Sequence, residues 1–113
     1  MHQAAFGHDS EEPWNERLAR HSLLWVTARA DDELVGFVNV IGDGGAHAVL
    51  LDTAVHPEHQ RAGIGVGLVR EATAEATRLG CEWLHVDYEP HLAAFYEDAC
   101  GMRPTSAALL RLE

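Results

Sequence analysis

The sequence predicts an α/β or α+β fold with a mixed sheet, and three observations support this prediction. Several short apolar segments are bounded by clusters of Gly, Pro and Asp, as is typical of strands and turns. One longer segment has apolar residues three and four positions apart, which is the spacing of an amphipathic helix. Helical and strand segments alternate along the chain, which favours helices packed on a sheet. With 113 residues, 47% of them hydrophobic, the chain is expected to form a single domain over residues 1–113.

The first half of the chain is predicted to contain one short helix and a β-hairpin. Residues 1–12 are polar and are expected to be loosely ordered, and start signals then predict a helix over 14–20. Two apolar segments within 23–45 are joined by a turn at 31–33 and are followed by a Gly-rich turn at 43–45. This pattern predicts two antiparallel strands.

The second half is predicted to hold the centre of the sheet and the main helix. Residues 47–57 are apolar at nearly every position, which predicts a central strand covered on both faces. Asp52 is the one charged residue that interrupts this strand. The helix is predicted over 65–79, with Gly80 as its stop signal. A strand over 81–88, a second helix over 90–100 and a terminal strand over 105–112 complete the prediction.

Charge and cysteine content exclude several classes of function. The formal net charge of −10 argues against a nucleic-acid partner or an anionic membrane, because both require a positively charged face. The two cysteines form no disulfide framework, and no signal peptide or apolar run of about 20 residues is present. These observations predict a cytoplasmic protein with reduced thiols and with no membrane partner.

The stretch "HPEHQRAGIGVGLVREA", residues 56–72, places three glycines within five positions at the start of the main helix. The free N–H groups and the positive dipole end of a helix make such a loop suitable for an anion. A tight turn with close packing of helix on sheet explains the same glycines and stays open as the alternative. A dinucleotide fingerprint is excluded because Leu68 stands where its third glycine would be, and a P-loop is excluded because the chain has no Lys.

Two motifs resemble one known family. Residues 60–65 match the Q/R-x-x-G-x-G/A signature of the GNAT family of acyl-CoA-dependent N-acyltransferases, within "LLDTAVHPEHQRAGIGVGLVREA". "HLAAFYEDACGMRPT" is similar to a later helix of the same family. The resemblance extends from about Val35 to Leu112, and it implies a mixed, mostly antiparallel sheet with splayed central strands and helices on both faces, reduced at the N-terminus.

The resemblance also implies the cofactor, acetyl-CoA or another acyl-CoA. Its diphosphate would be held by backbone amides of the loop at 60–65, and its thioester carbonyl would lie against backbone N–H groups of the preceding strand. The implied cofactor-binding residues are Thr53, Ala54, Val55, Gln60, Arg61, Ala62, Gly63, Ile64 and Gly65.

The chemistry of acetyl transfer calls for a base and an acid. An alkylamine must lose its proton before it attacks, which costs about 4.6 kcal/mol at pH 7 without assistance. Asp52 is the first candidate for the base or for a water-orienting group, and Asp87 and Glu89 are the alternatives. The resemblance implies Tyr96 as the general acid. Both residues also have non-catalytic explanations. Asp52 would then occupy a bulge or face solvent, and Tyr96 would be an ordinary core residue.

A metal site is not predicted, because the sequence has neither H-E-x-x-H nor a cysteine pair with ligand spacing. The expected function is an N-acetyltransferase that moves an acetyl group from acetyl-CoA to a primary amine of a small molecule or peptide, by direct attack in a ternary complex. A non-catalytic acyl-CoA sensor or regulatory module is the alternative, and a structural domain with a tight turn is a third. The shortened N-terminal region favours a homodimer in which a partner completes the acceptor pocket.

Overall fold

The structure is a computed structural model that describes residues 5–7, 21–60 and 62–112. Its sheet contains five strands in the order β1-β2-β3-β4-β5, and every neighbouring pair is antiparallel except β4 and β5, which are parallel. The predicted class, a mixed and mostly antiparallel sheet with helical packing, is confirmed. The strands are β1 (Ala5–Gly7), β2 (Leu24–Ala30), β3 (Glu33–Gly42), β4 (His47–Val55) and β5 (Trp83–Val86). The regions predicted as loosely ordered and as the first helix lie largely outside the described residues.

The hairpin of β2 and β3 forms where the sequence predicts it. Asp31 and Asp32 make the two-residue turn, and both have positive φ, 50° and 67°. Two consecutive left-handed residues match the twist of the flanking strands, and Asp tolerates this conformation better than most residues. The predicted turn is therefore confirmed, with Ala30 and Glu33 paired on either side of it.

The main helix, α1 (Ile64–Arg78), covers one face of the sheet and ends in a hydrogen-bonded cap. The amide of Gly80 donates to the Thr77 carbonyl at 3.0 Å, and the amide of Cys81 donates to the Ala76 carbonyl at 3.0 Å. Gly80 has φ 95°, so it acts as the helix stop that the sequence predicts. The buried side of α1 packs on the core of β2, β3 and β4 through Ile64, Leu68, Val69, Ala72 and Ala76.

β4 is covered on one face, so the prediction of a strand buried on both faces is wrong. Ala48 and Leu50 are buried under α1, whereas Leu51 and Ala54 are exposed. The continuous apolar pattern therefore did not distinguish a strand with two covered faces from one with an open apolar face. That open face lies beside the candidate site.

The last elements depart from the sequence prediction in two ways. In place of one α-helix over 90–100, a 3-10 turn (Pro90–Leu92) precedes a π-helix (Ala94–Ala99). The amide of Cys100 donates to the Phe95 carbonyl at 2.9 Å, a spacing of five residues, and this wider winding cannot be read from apolar periodicity. The predicted strand over 105–112 is wrong, since residues 101–112 have no regular structure.

No helix in the described part of the chain is both long enough and apolar enough to span a membrane.

Candidate active site

Hydrogen bonds hold the turn between β4 and α1 against the end of the sheet. The His56 amide donates to the Val35 carbonyl at 2.7 Å, so pairing with β3 continues beyond the last residue of β4. The Glu58 amide donates to Nδ1 of His56 at 3.2 Å, and Nε2 of Gln60 donates to the Val55 carbonyl at 3.2 Å. The Gln60 side chain therefore stabilises the loop. Its backbone amide is the group predicted to bind the cofactor.

In the described part of the chain, backbone donors in the first turn of α1 have no acceptor. Gly63 precedes the helix with φ 78° and ψ 9°, and no side chain caps the helix. The Gly67 amide donates to the Gly63 carbonyl at 3.1 Å, whereas the amides of residues 64–66 have no acceptor among the described residues. Unpaired N–H groups and the helix dipole together favour an anion at this end.

The two glycines of the predicted signature have different functions. A Cβ at Gly63 would meet no atom within 4 Å, so this glycine supplies the left-handed conformation and leaves open space beside the amides. A Cβ at Gly65 would lie 3.0 Å from Cε1 and 3.1 Å from Cζ of Phe95. Gly65 therefore allows the π-helix to pack directly on α1. The packing explanation therefore applies to Gly65, and the anion site beside Gly63 stays a prediction.

The predicted splay of the central strands is present. Parallel pairing of β4 with β5 runs from His47 opposite Trp83 to Leu50 opposite Val86, while β4 continues to Val55. In the described structure no strand lies on that side of residues 53–55, which include the predicted Thr53, Ala54 and Val55. A Cβ at Gly65 would lie 3.7 Å from Cγ2 of Val55, so the end of β4 lies beside the first turn of α1. Arg61 lies outside the described residues.

Asp52 lies at a β-bulge and is exposed. The register between β3 and β4 shifts at this point, and Asp52 takes φ 56°, a conformation that Asp adopts more readily than most residues. Leu50 faces α1, so the neighbouring Leu51 lies on the opposite face of the sheet. There a cavity of about 210 Å³ is lined by His21, Ser22, Asn39, Ile41, Leu51 and Asp52.

The cavity was not foreseen from the sequence. Asn39 is buried in β3, and its side-chain oxygen accepts a hydrogen bond from the Ser22 hydroxyl at 2.5 Å. Asn39, a polar residue in an apolar strand, was the sequence feature that could have indicated this cavity. Its partner Ser22 precedes β2, and only the fold brings the two residues together. The alternative bases, Asp87 and Glu89, are exposed beyond the end of β5 and do not line this cavity.

Tyr96 is turned into the core beside the first turn of α1. It is 5% exposed, and its ring packs edge-on against Phe95, with centroids 4.8 Å apart. The ring of Tyr88 lies 5.1 Å away. No hydrogen-bond partner of the Tyr96 hydroxyl is found among the described residues. The structure thus connects Tyr96, through Phe95, to Gly65 of the predicted cofactor loop.

Tyr88, which the sequence did not single out, is held by an acidic partner. Its hydroxyl donates to Oε2 of Glu97 at 2.5 Å, and this hydrogen bond is the main reason why the pKa of Tyr88 is raised. Burial and the charge of Glu97 raise it further. The Tyr88 hydroxyl therefore already donates a hydrogen bond, whereas the Tyr96 hydroxyl has no partner among the described residues.

The Tyr88 bond predicts an alkaline dependence of stability. Because the folded pKa is raised, the contribution of the bond is complete below about pH 10 and is lost as pH rises through the folded pKa. The difference in unfolding free energy between the unmodified chain and Tyr88→Phe should be constant below about pH 10 and should shrink above it. Urea denaturation across this pH range measures it, and a difference that stays constant at alkaline pH contradicts the prediction.

One group in the described part of the chain could hold a metal ion. The ligand atoms of His56, Glu58 and His59 lie within 4.8 Å of one another. His56 already uses Nδ1 to accept the Glu58 amide, and Glu58 is exposed. The prediction that the protein uses no metal stays a prediction.

Known proteins resemble this chain in sequence and in fold. Residues 2–102 match the acetyltransferase (GNAT) family. Mycothiol acetyltransferase from Nocardia farcinica is 39% identical over 69 residues, covering 61% of this chain and 22% of that protein. Mycothiol acetyltransferase from Mycobacterium avium is 34% identical over 98 residues, covering 87% of this chain and 28% of that protein. The chain thus spans about a quarter of the length of these curated relatives.

The fold is shared with a solved acetyltransferase of the same size class. A GNAT-family acetyltransferase from Streptococcus pneumoniae superposes with a TM-score of 0.79 at 22% identity, covering 98% of this chain and 100% of that one. At this identity the likeness concerns the fold.

Proposed function

Because this chain belongs to the acetyltransferase (GNAT) family, whose acyl donor is acetyl-CoA, we propose that it is an N-acetyltransferase acting as a single domain over residues 1–113. The acceptor is a primary amine of a small molecule or peptide, and transfer proceeds by direct attack in a ternary complex. The acidic net charge of −10 and the two cysteines without a framework support a cytoplasmic enzyme that binds neither nucleic acid nor membranes.

One observation supports the proposal most strongly: pairing of β4 and β5 stops at Leu50 and Val86, and the unpaired end of β4 lies beside first-turn amides of α1 that have no acceptor among the described residues. An extended ligand with an anionic group fits this arrangement, because the amides receive the anion and the gap receives an elongated arm. The open space beside Gly63 fits a diphosphate close to the backbone. We assign the cofactor contacts to Thr53, Ala54, Val55, Gln60, Arg61, Ala62, Gly63, Ile64 and Gly65.

Each end of α1 carries a left-handed glycine, and this gives a matched test of the cofactor site. Gly63 and Gly80 have φ 78° and 95°, and a Cβ at either position would meet no atom within 4 Å. Gly63→Ala and Gly80→Ala should each cost about 1–2 kcal/mol of stability, because Ala is strained there. Only Gly63→Ala should also raise the dissociation constant for acetyl-CoA, by about tenfold or more, since its methyl group occupies the space beside the amides.

Calorimetric titration with acetyl-CoA, together with urea denaturation, separates the two effects. Equal affinities in Gly63→Ala and Gly80→Ala would place the diphosphate away from the first turn of α1.

The chemistry follows from what the residues can do. Acetyl-CoA supplies an acetyl group activated as a thioester. Asp52, at the wall of the cavity on the open face, can accept the amine proton directly or through a water molecule. Tyr96, whose ring packs against Phe95, is the proposed proton donor. Backbone N–H groups of residues 53–55 can stabilise negative charge on a carbonyl oxygen.

The cavity next to Asp52 supports a small acceptor. Its volume of about 210 Å³ lies below the usual range of drug-sized pockets, and a carboxylate at its wall favours a cationic amine. The two relatives named above are mycothiol acetyltransferases, so we include a mycothiol-related amine among the acceptors to be tested.

The primary experiment is a thermal-shift screen followed by a thiol-release assay across an amine panel. Acetyl-CoA at 100 times its dissociation constant should add about 2.7 kcal/mol of stability, whereas no shift with acetyl-CoA or CoA would exclude the cofactor site. Amine-dependent release of CoA thiol would establish transfer.

One observation favours the alternative, a non-catalytic acyl-CoA sensor. Tyr96 is only 5% exposed, and a residue with a purely structural role in the core would be buried to the same extent. A chain that binds acetyl-CoA but releases no thiol with any amine, and that behaves identically as Tyr96→Phe, would support the sensor.

A further inference from the structure

The cavity beside Asp52 contains a buried amide as well as a carboxylate. Asn39 is only 4% exposed, and its side chain lines this cavity. Its side-chain oxygen accepts the Ser22 hydroxyl, and in the described part of the chain no acceptor is found for its side-chain nitrogen. Buried polar groups are normally hydrogen-bonded, because an unsatisfied donor destabilises the fold. The Asn39 nitrogen is therefore available to a ligand in the cavity.

Ser22 leaves the donor side of the Asn39 amide for that ligand. An Asn side chain accepts hydrogen bonds at its oxygen and donates them from its nitrogen. Because the oxygen is already used by the Ser22 hydroxyl, the group that remains for a ligand is the N–H donor. Ser22 also lines the cavity, so the two residues form one polar side of its wall.

The β-bulge brings Asp52 to the same cavity. Asn39 pairs with Leu51 across β3 and β4, and such opposite residues have Cα atoms about 4.5–5.5 Å apart. Consecutive residues of a regular strand face opposite sides of the sheet. Leu51 and Asp52 nevertheless both line the cavity, since Asp52 takes φ 56° at the bulge. An N–H donor and a carboxylate thus lie on neighbouring parts of one wall.

These two groups favour different atoms of one small ligand. The Asp52 carboxylate favours an amine, and the Asn39 amide favours an oxygen that accepts a hydrogen bond. Since the two residues are neighbours across the strands, the nitrogen and the oxygen of the ligand must lie close together. The oxygen must be neutral, because a carboxylate would be repelled by Asp52. Ile41 and Leu51 supply apolar surface for the carbon atoms.

We propose that Asn39 determines the specificity for the acceptor by donating a hydrogen bond to a neutral oxygen on the carbon next to the amine-bearing carbon. A vicinal amino alcohol and an α-amino amide both have this arrangement. Ser22 is a positioning residue that holds the Asn39 side chain. The inference rests on the proposed acetyl transfer and names the chemical class of its acceptor.

Matched amines test the hydrogen bond. Ethanolamine and propylamine differ by a hydroxyl in place of a methyl group, and glycinamide and isobutylamine differ by an amide in place of a branched alkyl group. The selectivity is kcat/KM for the oxygen-bearing amine divided by kcat/KM for its apolar partner. In at least one pair it should fall by about tenfold or more in Asn39→Asp and Asn39→Leu, because both variants lack the amide donor. The pair that responds identifies the alcohol or the amide.

Control variants separate this effect from damage to the fold. Thr27→Val changes the other buried polar residue of the described part of the chain, which does not line the cavity, and should leave both selectivities unchanged. Ser22→Ala should lower the selectivity, and Ser22→Thr should restore it because Thr keeps the hydroxyl. An equal thermal shift with acetyl-CoA in every variant would show that the cofactor site is intact.

The nuclear magnetic resonance signals of the Asn39 side-chain amide report binding without turnover. In the presence of CoA, ethanolamine or glycinamide should shift these signals, and propylamine and isobutylamine should not. Such a shift in a protein that releases no thiol would keep the oxygen site and overturn acetyl transfer. No shift with any of these amines would overturn the oxygen site, whatever the activity. In an active enzyme, selectivities that are equal in the unmodified chain and in both Asn39 variants would overturn it as well.

Discussion

Tyr96→Phe is expected to lower kcat for acetyl transfer by about 100-fold or more, with little change in the KM for acetyl-CoA. The substitution removes a single oxygen from a ring that is packed against Phe95 and Tyr88, so the core should keep its shape. A thiol leaving group with a pKa near about 8.5 benefits from a proton donor at neutral pH. Loss of the donor should therefore affect kcat, because binding at α1 depends on other groups.

Tyr88→Phe is the matched control for this effect. It removes the same atom from the neighbouring ring, but the Tyr88 hydroxyl is engaged by Glu97 and has no assigned catalytic function. We expect a kcat within about threefold of the unmodified enzyme, since loss of a partly exposed hydrogen bond affects mainly stability. Steady-state kinetics with both variants measures the difference. A large loss in Tyr88→Phe with none in Tyr96→Phe would assign the proton donor to the other tyrosine.

Tyr96 illustrates how much of the candidate site could be predicted from sequence. Position in a motif identified the tyrosine, and helical periodicity indicated that its element packs on the core. Neither revealed the π-winding, because one extra residue per turn alters which side chains face inward without changing the apolar composition. The contact of Phe95 with Gly65 depends on that winding, so its effect on the glycine could be seen only in the fold.

The strands illustrate a second limit of sequence patterns. An apolar residue at nearly every position of β4 indicated a central strand, and the strand is central. It could not indicate whether the second apolar face was covered, because a ligand-binding surface and a core surface have similar composition. The segment 105–112 has the composition of a strand as well, but pairing requires a partner that lies far away in sequence or in another copy.

Asp52→Asn is expected to lower kcat at neutral pH by about 100-fold or more if Asp52 accepts the amine proton. Asn keeps nearly the same shape and tolerates the left-handed φ of 56° better than other residues do. The bulge between β3 and β4 should therefore persist, and unfolding free energy should change by about 1 kcal/mol or less. An equal thermal shift with acetyl-CoA would show that the cofactor site is intact.

The pH profile distinguishes a base from a residue that only shapes the cavity. An alkylamine has a pKa of about 10.4, so its deprotonation at pH 7 costs about 4.6 kcal/mol, and this cost falls to zero as pH approaches the pKa. The defect of Asp52→Asn should therefore shrink as pH rises toward that value, because the amine then needs less assistance. A loss of kcat that is the same at every pH would mean that Asp52 positions the acceptor without accepting its proton.

Asp87→Asn decides whether the bulge in β4 or the end of β5 supplies the base. Asp87 is exposed beyond β5 and does not line the cavity beside Asp52, so its substitution should leave the pH profile of kcat unchanged. If Asp87→Asn loses activity at neutral pH and recovers it at alkaline pH while Asp52→Asn does neither, the acceptor enters from the β5 side. The end of β5 would then border the amine.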